Sequence, residues 1–535
     1  MSGARVLVVL GGLLGAGCAG ALTPARSEVG LAPDAKLLPT RTRRLTNLEL
    51  ERSVRALTGQ KTALASELPP EVRQEGYTPN ANQDVSATWA TRYAALAAEL
   101  ANRAAHDPQA RLSSCRDAKS RECRATVVRE LGLRAFRRPL EPGEQRRLEE
   151  LLMEGWSEGE QFETGLALLL RALLEAPSFL YLSELGAANQ TGARVRLDDY
   201  ELASQLSYTL RGGPPDRELL RAAAAGELQR PDERVAQAER LLGLPDTRHQ
   251  FRRFALEWLE VDGLLQTAKS SQRFPSYDAL KPFMLAETES YVDEVMVNGG
   301  ASVQSLIAGG FASVGPEMAR FYGLSTYGPR ASLAGTGRLG VLQQASFLAA
   351  HAHEDVTSPV KRGDFVMRKL LCEKVKRPGE IGLEVVMPPP STTLTNRQRL
   401  ARHIADPSCA GCHTTLDAIG YTFETFDAMG GAQTTDHGLP ITSQVTVRLD
   451  KAGPAPLALS SSLELTRALL ENPAISECFA RHAFRYFSAQ ADAAVEASFL
   501  SLREQLPAER RDSLLSVLLA YIASDLFVLR EVQGT

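Results

Sequence analysis

Several features that mark common protein classes are missing from this sequence. Its 535 residues carry 60 Lys and Arg against 64 Asp and Glu, so neither a basic excess typical of nucleic-acid binding nor an acidic tail is present. It contains no P-loop, no dinucleotide-binding glycine motif, no Ser-His-Asp signature and no H-E-x-x-H motif. Beyond the first 20 residues, no apolar run is long enough to span a membrane. The sequence therefore does not indicate a nucleotide-dependent enzyme, a hydrolase or a nucleic-acid-binding protein.

The N-terminus has the pattern of an export signal. Arg5 precedes an apolar segment, residues 6–14, and small residues then lead to Cys18. This pattern predicts a signal peptide over residues 1–18, either a plain secretory signal or a lipoprotein signal in which Cys18 becomes lipidated. Gly15 stands where a lipoprotein signal usually has leucine, so both alternatives stay open. We expect an exported protein, periplasmic or held at the outer membrane as a lipoprotein.

Cysteine is scarce, with seven residues in the chain, and export limits how these residues are used. Outside the cytoplasm, cysteines are normally paired or used for chemistry. Two of them lie in a C-x-x-C-H motif, and Cys18 belongs to the signal. The remaining four allow two disulfides, although connectivity cannot be read from sequence alone. We expect Cys115 to pair with Cys123 across a short polar loop, and Cys372 with Cys478 as the remaining pair.

The C-x-x-C-H motif consists of Cys409, Cys412 and His413, and it is typical of covalent haem attachment. Two thiols form thioethers with the haem vinyl groups, and the adjacent histidine binds the iron. Roughly one shuffled chain in a thousand would contain the motif by chance. A zinc site would need a second ligand pair, a thioredoxin-like pair would need a βαβ context, and a structural disulfide at this spacing would be strained. The sequence therefore predicts one covalent haem c.

The residue that would face His413 across the haem is not fixed by the sequence. A methionine ligand would raise the reduction potential and suit electron transfer, whereas two histidines would give bis-histidine ligation. Each candidate taken alone is more often a packed or surface residue than a ligand. The candidates are Met387, Met429, His351, His353, His437 and His482.

Helical periodicity dominates the rest of the chain. Thr46 and Glu49 form a capping box before the first helix, and Gly59 ends it. The acidic cluster of Glu287, Glu289, Asp293 and Glu294 is interpreted as a solvated helix face, with a paired-carboxylate site as the alternative. Strand patterns are scarce, and the best is "PITSQVTVRL" over residues 440–449.

We predict a mainly α protein, a string of small helical domains with a cytochrome-c-like haem domain near the C-terminus. The predicted division is a tether over 19–38, helical domains over 39–108, 109–188 and 195–326, the haem domain over 335–445 and a C-terminal helical domain over 455–535.

These segments resemble the large exported proteins with a planctomycete-type cytochrome c domain, a group also common in myxobacteria whose member domains are largely of unknown function. The resemblance covers nearly the whole mature chain, in the family's order. It implies an exported, multi-domain, mostly helical cytochrome-c-like protein, with Cys409 and Cys412 as haem thioethers and His413 as proximal iron ligand. The segments that carry it include "RRLTNLELERSVRALTG", "EGYTPNANQ", "LRAFRRPLEPGE", "LASQLSYTLRGGPPDRELL", "TSPVKRGDFVMRKLLC" and "DPSCAGCHTTLDAIGYTFETFDAMGG".

The segment "TSPVKRG" over residues 357–363 is a hallmark of this family. Lys361 and Arg362 within it are interpreted as cations that pair with haem propionates, and a turn with two solvated charges is the alternative. Members often have a histidine near His351, which makes this residue the first choice as distal ligand. They typically have an aliphatic residue at the position of Met429, so the resemblance gives Met429 no support.

Three functions remain open at this point. The first is electron transfer by a haem protein with an unidentified redox partner. The second is a haem enzyme with an open sixth coordination position. The third is a cell-surface binding or scaffold protein in which haem is secondary, because more than three-quarters of the mature chain lies outside the haem domain. An N-terminal lipid would add membrane anchoring to any of them.

Overall fold

The computed structural model describes residues 31–107, 109–110, 112–114, 120–155, 162–187, 190, 192–298, 300–375, 391, 393–404, 407–449 and 455–532. Helices dominate, and the described strands form five two-stranded sheets, so the prediction of a mainly α protein is confirmed. Among the described helices, none has the length and hydrophobicity needed to cross a membrane. The predicted signal peptide with Cys18 lies outside the described residues.

The first two predicted helical domains share one apolar core. Strands β1 (Arg41–Arg44) and β2 (Tyr181–Glu184) pair antiparallel beside this core. Thr46 and Glu49 form the predicted capping box, and Gly59 ends the first helix at a φ of 74°. The helices are α1 Asn47–Thr58, α2 Leu64–Glu67, α3 Ala87–His106, α4 Arg121–Phe136, α5 Pro142–Glu154, α6 Phe162–Glu175 and α7 Pro177–Leu180.

The third predicted domain begins with strand β3 (Arg194–Arg196) and continues as helices. Its helices are α8 Asp199–Arg211, α9 Arg217–Ala224, α10 Pro231–Leu242, α11 Pro245–Trp258, α12 Tyr277–Asn298, α13 Val303–Ala308 and α14 Pro316–Tyr322, with 3₁₀ turns at Glu227–Gln229 and Leu264–Gln266. Strands β4 (Phe311–Val314) and β5 (Gly328–Ser332) form an antiparallel pair next to α14.

One member of the acidic cluster on α12 departs from the predicted solvated face. Glu287 is buried at 2% exposure, and the Tyr322 hydroxyl donates to its Oε2 at 2.7 Å. Burial raises the pKa of Glu287 to about 7. The interpretation as a solvated face is therefore wrong for Glu287, because α14 packs over this side of α12.

The predicted haem segment is a set of short helices followed by two small sheets. The helices are α15 Ala345–Ala350, α16 Pro359–Phe365, α17 Asn396–Ile404 and α18 Pro407–Tyr421; a 3₁₀ turn at Val341–Gln343 precedes α15, and a π-helical turn at Val366–Leu370 continues α16. The strands are β6 Thr435–Asp436, β7 Leu439–Pro440, β8 Val445–Val447 and β9 Leu457–Leu459, paired β6 with β7 and β8 with β9. The predicted strand pattern over residues 440–449 thus yields β8 and the end of β7.

The C-terminal helices pack back onto earlier parts of the chain. They are α19 Ser462–Leu470, α20 Ala474–Phe487, α21 Ala493–Glu504, α22 Ala508–Arg511, α23 Leu514–Ala523 and α24 Asp525–Val528, followed by strand β10 (Leu529–Glu531). Strand β10 pairs with β3, and α23 packs on α10. One apolar core joins residues of the third domain, the haem segment and α19–α20.

The predicted tether is shorter than residues 19–38. Leu37 and Leu38 are buried at 3% and 0% exposure and belong to the core formed with the C-terminal helices. The amide of Glu531 donates to the Leu38 carbonyl at 2.9 Å. The two leucines are held in place because they cover apolar surface that β10 and its neighbours would otherwise expose.

Candidate functional site

The C-x-x-C-H motif lies on helix α18. Pro407 is the first residue of this helix, a position where proline is favoured because its missing amide hydrogen is not needed there. Positions 409, 412 and 413 are related as i, i+3 and i+4, which places them on one face of a helix. The side chains of Cys409 and Cys412 lie outside the described part of the structure, so their role as thioether anchors stays a prediction.

His413 is held by an acidic residue one helical turn further on. Its Nδ1 lies 2.9 Å from Asp417 Oδ1, and this hydrogen bond raises the pKa of His413 above its ordinary value. Asp417 is buried at 1% exposure, and no described residue donates to its second oxygen, Oδ2. With Nδ1 engaged as the donor, Nε2 is the ring nitrogen that would bind a metal.

Asp417 was missed by the sequence interpretation. The available signal was the H-x-x-x-D spacing, which places a carboxylate beside a histidine on the next turn of a helix. In the sequence alone, the same spacing is equally typical of a solvated helix face.

Helix α16 crosses α18 at two glycines. A Cβ atom on Gly363 would overlap the carbonyl oxygen of Leu416, and one on Gly420 would overlap the carbonyl oxygen of Pro359. The two backbones therefore touch directly, which only residues without a side chain permit. This contact explains the glycine that ends the segment "TSPVKRG".

Arg362 from the same segment is fully buried, at 0% exposure. Its guanidinium donates to the carbonyls of Phe423 and Asp427 at 3.0 Å and of Phe426 and Leu348 at 3.2 Å. Burial lowers its pKa to about 10. The guanidinium lies inside the protein and fastens the turn that follows α18 to α15. The predicted pairing of Arg362 with haem propionates stays a prediction.

Lys361 lies at the surface, as one of the two predicted alternatives has it. Its Nζ donates to the Ala352 carbonyl at 3.3 Å. Lys269 comes near from the third domain, donating to the His353 carbonyl at 2.7 Å, and burial together with nearby Lys361 lowers its pKa to about 8. A propionate contact for Lys361 stays a prediction.

A buried polar network links the start of "TSPVKRG" to the end of the haem segment. Thr357 donates to Glu424 Oε2 at 2.9 Å, and Asn396 donates to Thr357 Oγ1 at 2.8 Å. Glu424 is buried at 4% exposure, and burial raises its pKa to about 7. Arg362 Nη1 lies 3.9 Å from Glu424 Oε1, too far for a hydrogen bond, so the attraction does not offset the burial.

Two of the six candidate distal ligands, His351 and Met429, are packed side chains. His351 is buried at 4% exposure and lies against Phe347; its Nδ1 is 2.9 Å from the Phe347 carbonyl, and its Nε2 is 3.5 Å from Glu260 Oε2. Met429 is buried at 5% exposure and belongs to an apolar cluster that includes Met318. Distal ligation by either residue stays a prediction.

The other candidates are spread over the fold. His437 lies beside Asp436, at 3.7 Å, next to the β6–β7 turn. His482 is buried at 3% exposure on α20, where its Nε2 is 3.1 Å from the Arg368 carbonyl. His353 is half-buried in the loop after α15. Met387 lies outside the described residues.

Cys372 and Cys478 form a disulfide, with a Cα–Cα distance of 5.4 Å, as the sequence predicted for the remaining pair. Their sulfurs and a ring nitrogen of His482 lie within 4.8 Å of one another, but sulfurs bonded to each other offer no thiolate to a metal. Cys123 is also disulfide-bonded. Cys115 lies outside the described residues, so its pairing with Cys123 stays a prediction.

Four domain profiles match the chain in tandem, and each describes a protein of unknown function: PSD3 (DUF1587) over residues 43–106, PSD5 (DUF1595) over 123–184, PSD4 (DUF1592) over 197–324 and PSCyt3 (DUF1588) over 338–436. No curated protein and no solved structure matches. The PSCyt3 profile spans α15–α18 and includes the C-x-x-C-H motif. Since the four profiles cover about two thirds of its length in this order, the chain belongs to the family of tandem-domain proteins with a planctomycete-type cytochrome-c-like domain.

Proposed function

We propose that this protein is an exported c-type cytochrome that carries one covalent haem on Cys409 and Cys412 and transfers electrons. The observation that carries the proposal is the C-x-x-C-H motif on α18 within the PSCyt3 match, with the Nδ1 of His413 held by the buried Asp417. A bound haem supplies one-electron oxidation and reduction of its iron. The protein residues supply attachment, orientation and the surrounding charge.

The contacts around α18 hold His413, the proposed iron ligand, in a fixed position. Gly363 and Gly420 bring α16 into backbone contact with α18, and Arg362 fastens the turn that follows α18 through four carbonyls. His413 Nδ1 donates to Asp417, which selects the tautomer whose Nε2 would be the nitrogen that binds iron. A ligand held in this way moves little between oxidation states, which favours rapid electron transfer.

The second part of the proposal is the compartment. The signal-like N-terminus, residues 1–18, supports export, and the Cys372–Cys478 disulfide is typical of an oxidising environment. We place the mature protein in the periplasm or, if Cys18 is lipidated, at the outer membrane. Its redox partner would then be another exported electron carrier or a membrane-bound one.

The test is purification of the full chain from a bacterial host that attaches haem to exported proteins. Wild-type protein should give a c-type pyridine haemochrome spectrum and an intact mass increased by one haem. The Cys412→Ala variant should lose double thioether attachment, whereas the control Cys478→Ser, which alters a disulfide cysteine, should keep it. Exported wild-type protein without covalent haem would refute the proposal. N-terminal lipid would appear as a separate mass increment.

The spin state of the ferric protein separates electron transfer from the alternative of a haem enzyme. Low-spin, six-coordinate haem is expected for an electron carrier, and high-spin haem with an open sixth position for a catalyst. The positions of His351 and Met429 are the observation that favours this alternative, because both side chains are packed inside the protein.

A further inference from the structure

The partner of His413 is a carboxylate, and this choice of acceptor has electronic consequences. We infer that Asp417 sets the reduction potential of the haem, because it directs its negative charge onto the imidazole that binds the iron. The inference rests on the proposed haem function. It makes Asp417 a positioning residue that acts through His413 and touches no haem atom itself.

The geometry fits a strong hydrogen bond. His413 Nδ1 and Asp417 Oδ1 are 2.9 Å apart on successive turns of α18, so the helix itself fixes their spacing. The His413 side chain is 17% exposed, and Asp417 is 1% exposed. Water therefore has little access to compete for the carboxylate.

Among the described residues, no lysine or arginine forms an ion pair with Asp417. The basic side chain that pairs with Asp417 is His413. Its Oδ2 accepts no hydrogen bond from the described residues. A buried charge acts strongly at short range because the protein interior screens it poorly. The imidazole is the group that this charge reaches first.

A carboxylate acceptor strengthens a histidine ligand more than a neutral carbonyl does. Hydrogen bonds to ionised groups are about twice as strong as neutral ones, and a carboxylate on the far nitrogen raises the basicity of the metal-binding nitrogen. Ferric iron carries one more positive charge than ferrous iron, so a more basic ligand stabilises the ferric state more. The haem is therefore expected to have a low potential and to pass electrons to acceptors of higher potential.

The test compares reduction potentials of haem-loaded, full-length variants. Asp417→Asn removes the charge at nearly constant volume and should raise the midpoint potential by about 60 mV or more, which is a tenfold change in the ferrous-to-ferric ratio for a one-electron couple. Asp417→Glu keeps a carboxylate and should stay closer to wild type. Glu424→Gln is the matched control, because Glu424 is a buried carboxyl of the same segment that contacts Thr357 instead of His413. This control is measured at pH 8, above the pKa of Glu424 of about 7, so that the substitution removes a charge.

Each outcome decides the inference. A loaded Asp417→Asn variant with the wild-type potential would overturn it, and so would an equal shift in Glu424→Gln. If Asp417→Asn fails to load haem, the midpoint potentials of Asp417→Glu and Asp417→Gln are compared instead. These two side chains are one methylene longer and differ from each other as a carboxylate differs from an amide. Wild-type protein without covalent haem would instead refute the proposed function, so the two failures are distinguishable.

Discussion

At the scale of single residues, two carboxyl groups are buried in ways that change their chemistry. Glu287 lies under Tyr322, and Glu424 lies between Thr357 and Arg362. Burial raises the pKa of each to about 7. Each is therefore protonated in the folded protein at a pH where the unfolded chain has already lost the proton.

The first prediction concerns the pH dependence of stability. Because the folded pKa of Glu287 lies above its unfolded value, its contribution is fully present below about pH 4.5 and is lost as pH rises through about 7. The shift corresponds to about 3 kcal/mol. Glu287→Gln should flatten the fall in the free energy of unfolding between pH 5 and pH 8, measured by urea denaturation.

The control for this prediction is Glu289→Gln on the same helix. Glu289 is half-buried and lies 3.9 Å from Arg252, so its replacement removes a carboxylate from the same helix and leaves the buried Glu287 in place. A Glu287→Gln variant with the wild-type pH profile would show that Glu287 is ionised in the folded protein at neutral pH.

At the scale of elements, the position of α18 is fixed by its crossing with α16. The second prediction is that Gly363→Ala destabilises the protein by several kcal/mol, since the new Cβ meets the Leu416 carbonyl and the helices must separate. Thermal unfolding and haem content measure the effect. Gly143→Ala on α5 is the matched control, because its Cβ would meet no atom within 4 Å and should be neutral or slightly stabilising. Equal effects of the two substitutions would contradict the proposed close contact.

The sequence predicted local features well and tertiary ones poorly. The Thr46 capping box and the Gly59 helix end depend on neighbours in the chain, and the structure contains both. The roles of Arg362 and Glu287 depend on segments far apart in sequence that come to cover them. A charged residue in a sequence is usually solvated, so burial of this kind needs the packed fold to become visible.

In the candidate site, too, the residues of the local motif were predicted from the sequence and the buried contact was not. Residue types and spacing predict Cys409, Cys412 and His413 as the haem site, because covalent haem attachment needs these groups at this distance. The burial of Asp417 beside His413, on which its proposed role depends, is not revealed by its position in the sequence.

At the scale of the whole molecule, the helical segments share cores. Strand β10 pairs with β3, and a disulfide ties Cys372, two residues after the π-helical turn, to Cys478 on α20. The haem segment is therefore fastened to the C-terminal helices as well as to its own neighbours.

The third prediction concerns this disulfide. Replacing Cys372 and Cys478 by serine should lower the free energy of unfolding by about 4 kcal/mol, because the bond closes a loop with a sequence separation of 106 residues. Guanidinium denaturation measures the change, with wild type and double variant compared in the same non-reducing buffer, because a reductant would also open the disulfide of Cys123. Unchanged stability in the double variant would contradict a fastening role. Covalent haem should remain in both.

The most direct test of the central claim is the mass of one peptide. Trypsin cleaves after Arg402 and Arg448, so residues 403–448 form a single peptide that contains both motif cysteines. In the exported protein this peptide should be heavier by one haem and should have no thiol that reacts with iodoacetamide. A peptide of unmodified mass, with two free or mutually bonded cysteines, would contradict the account.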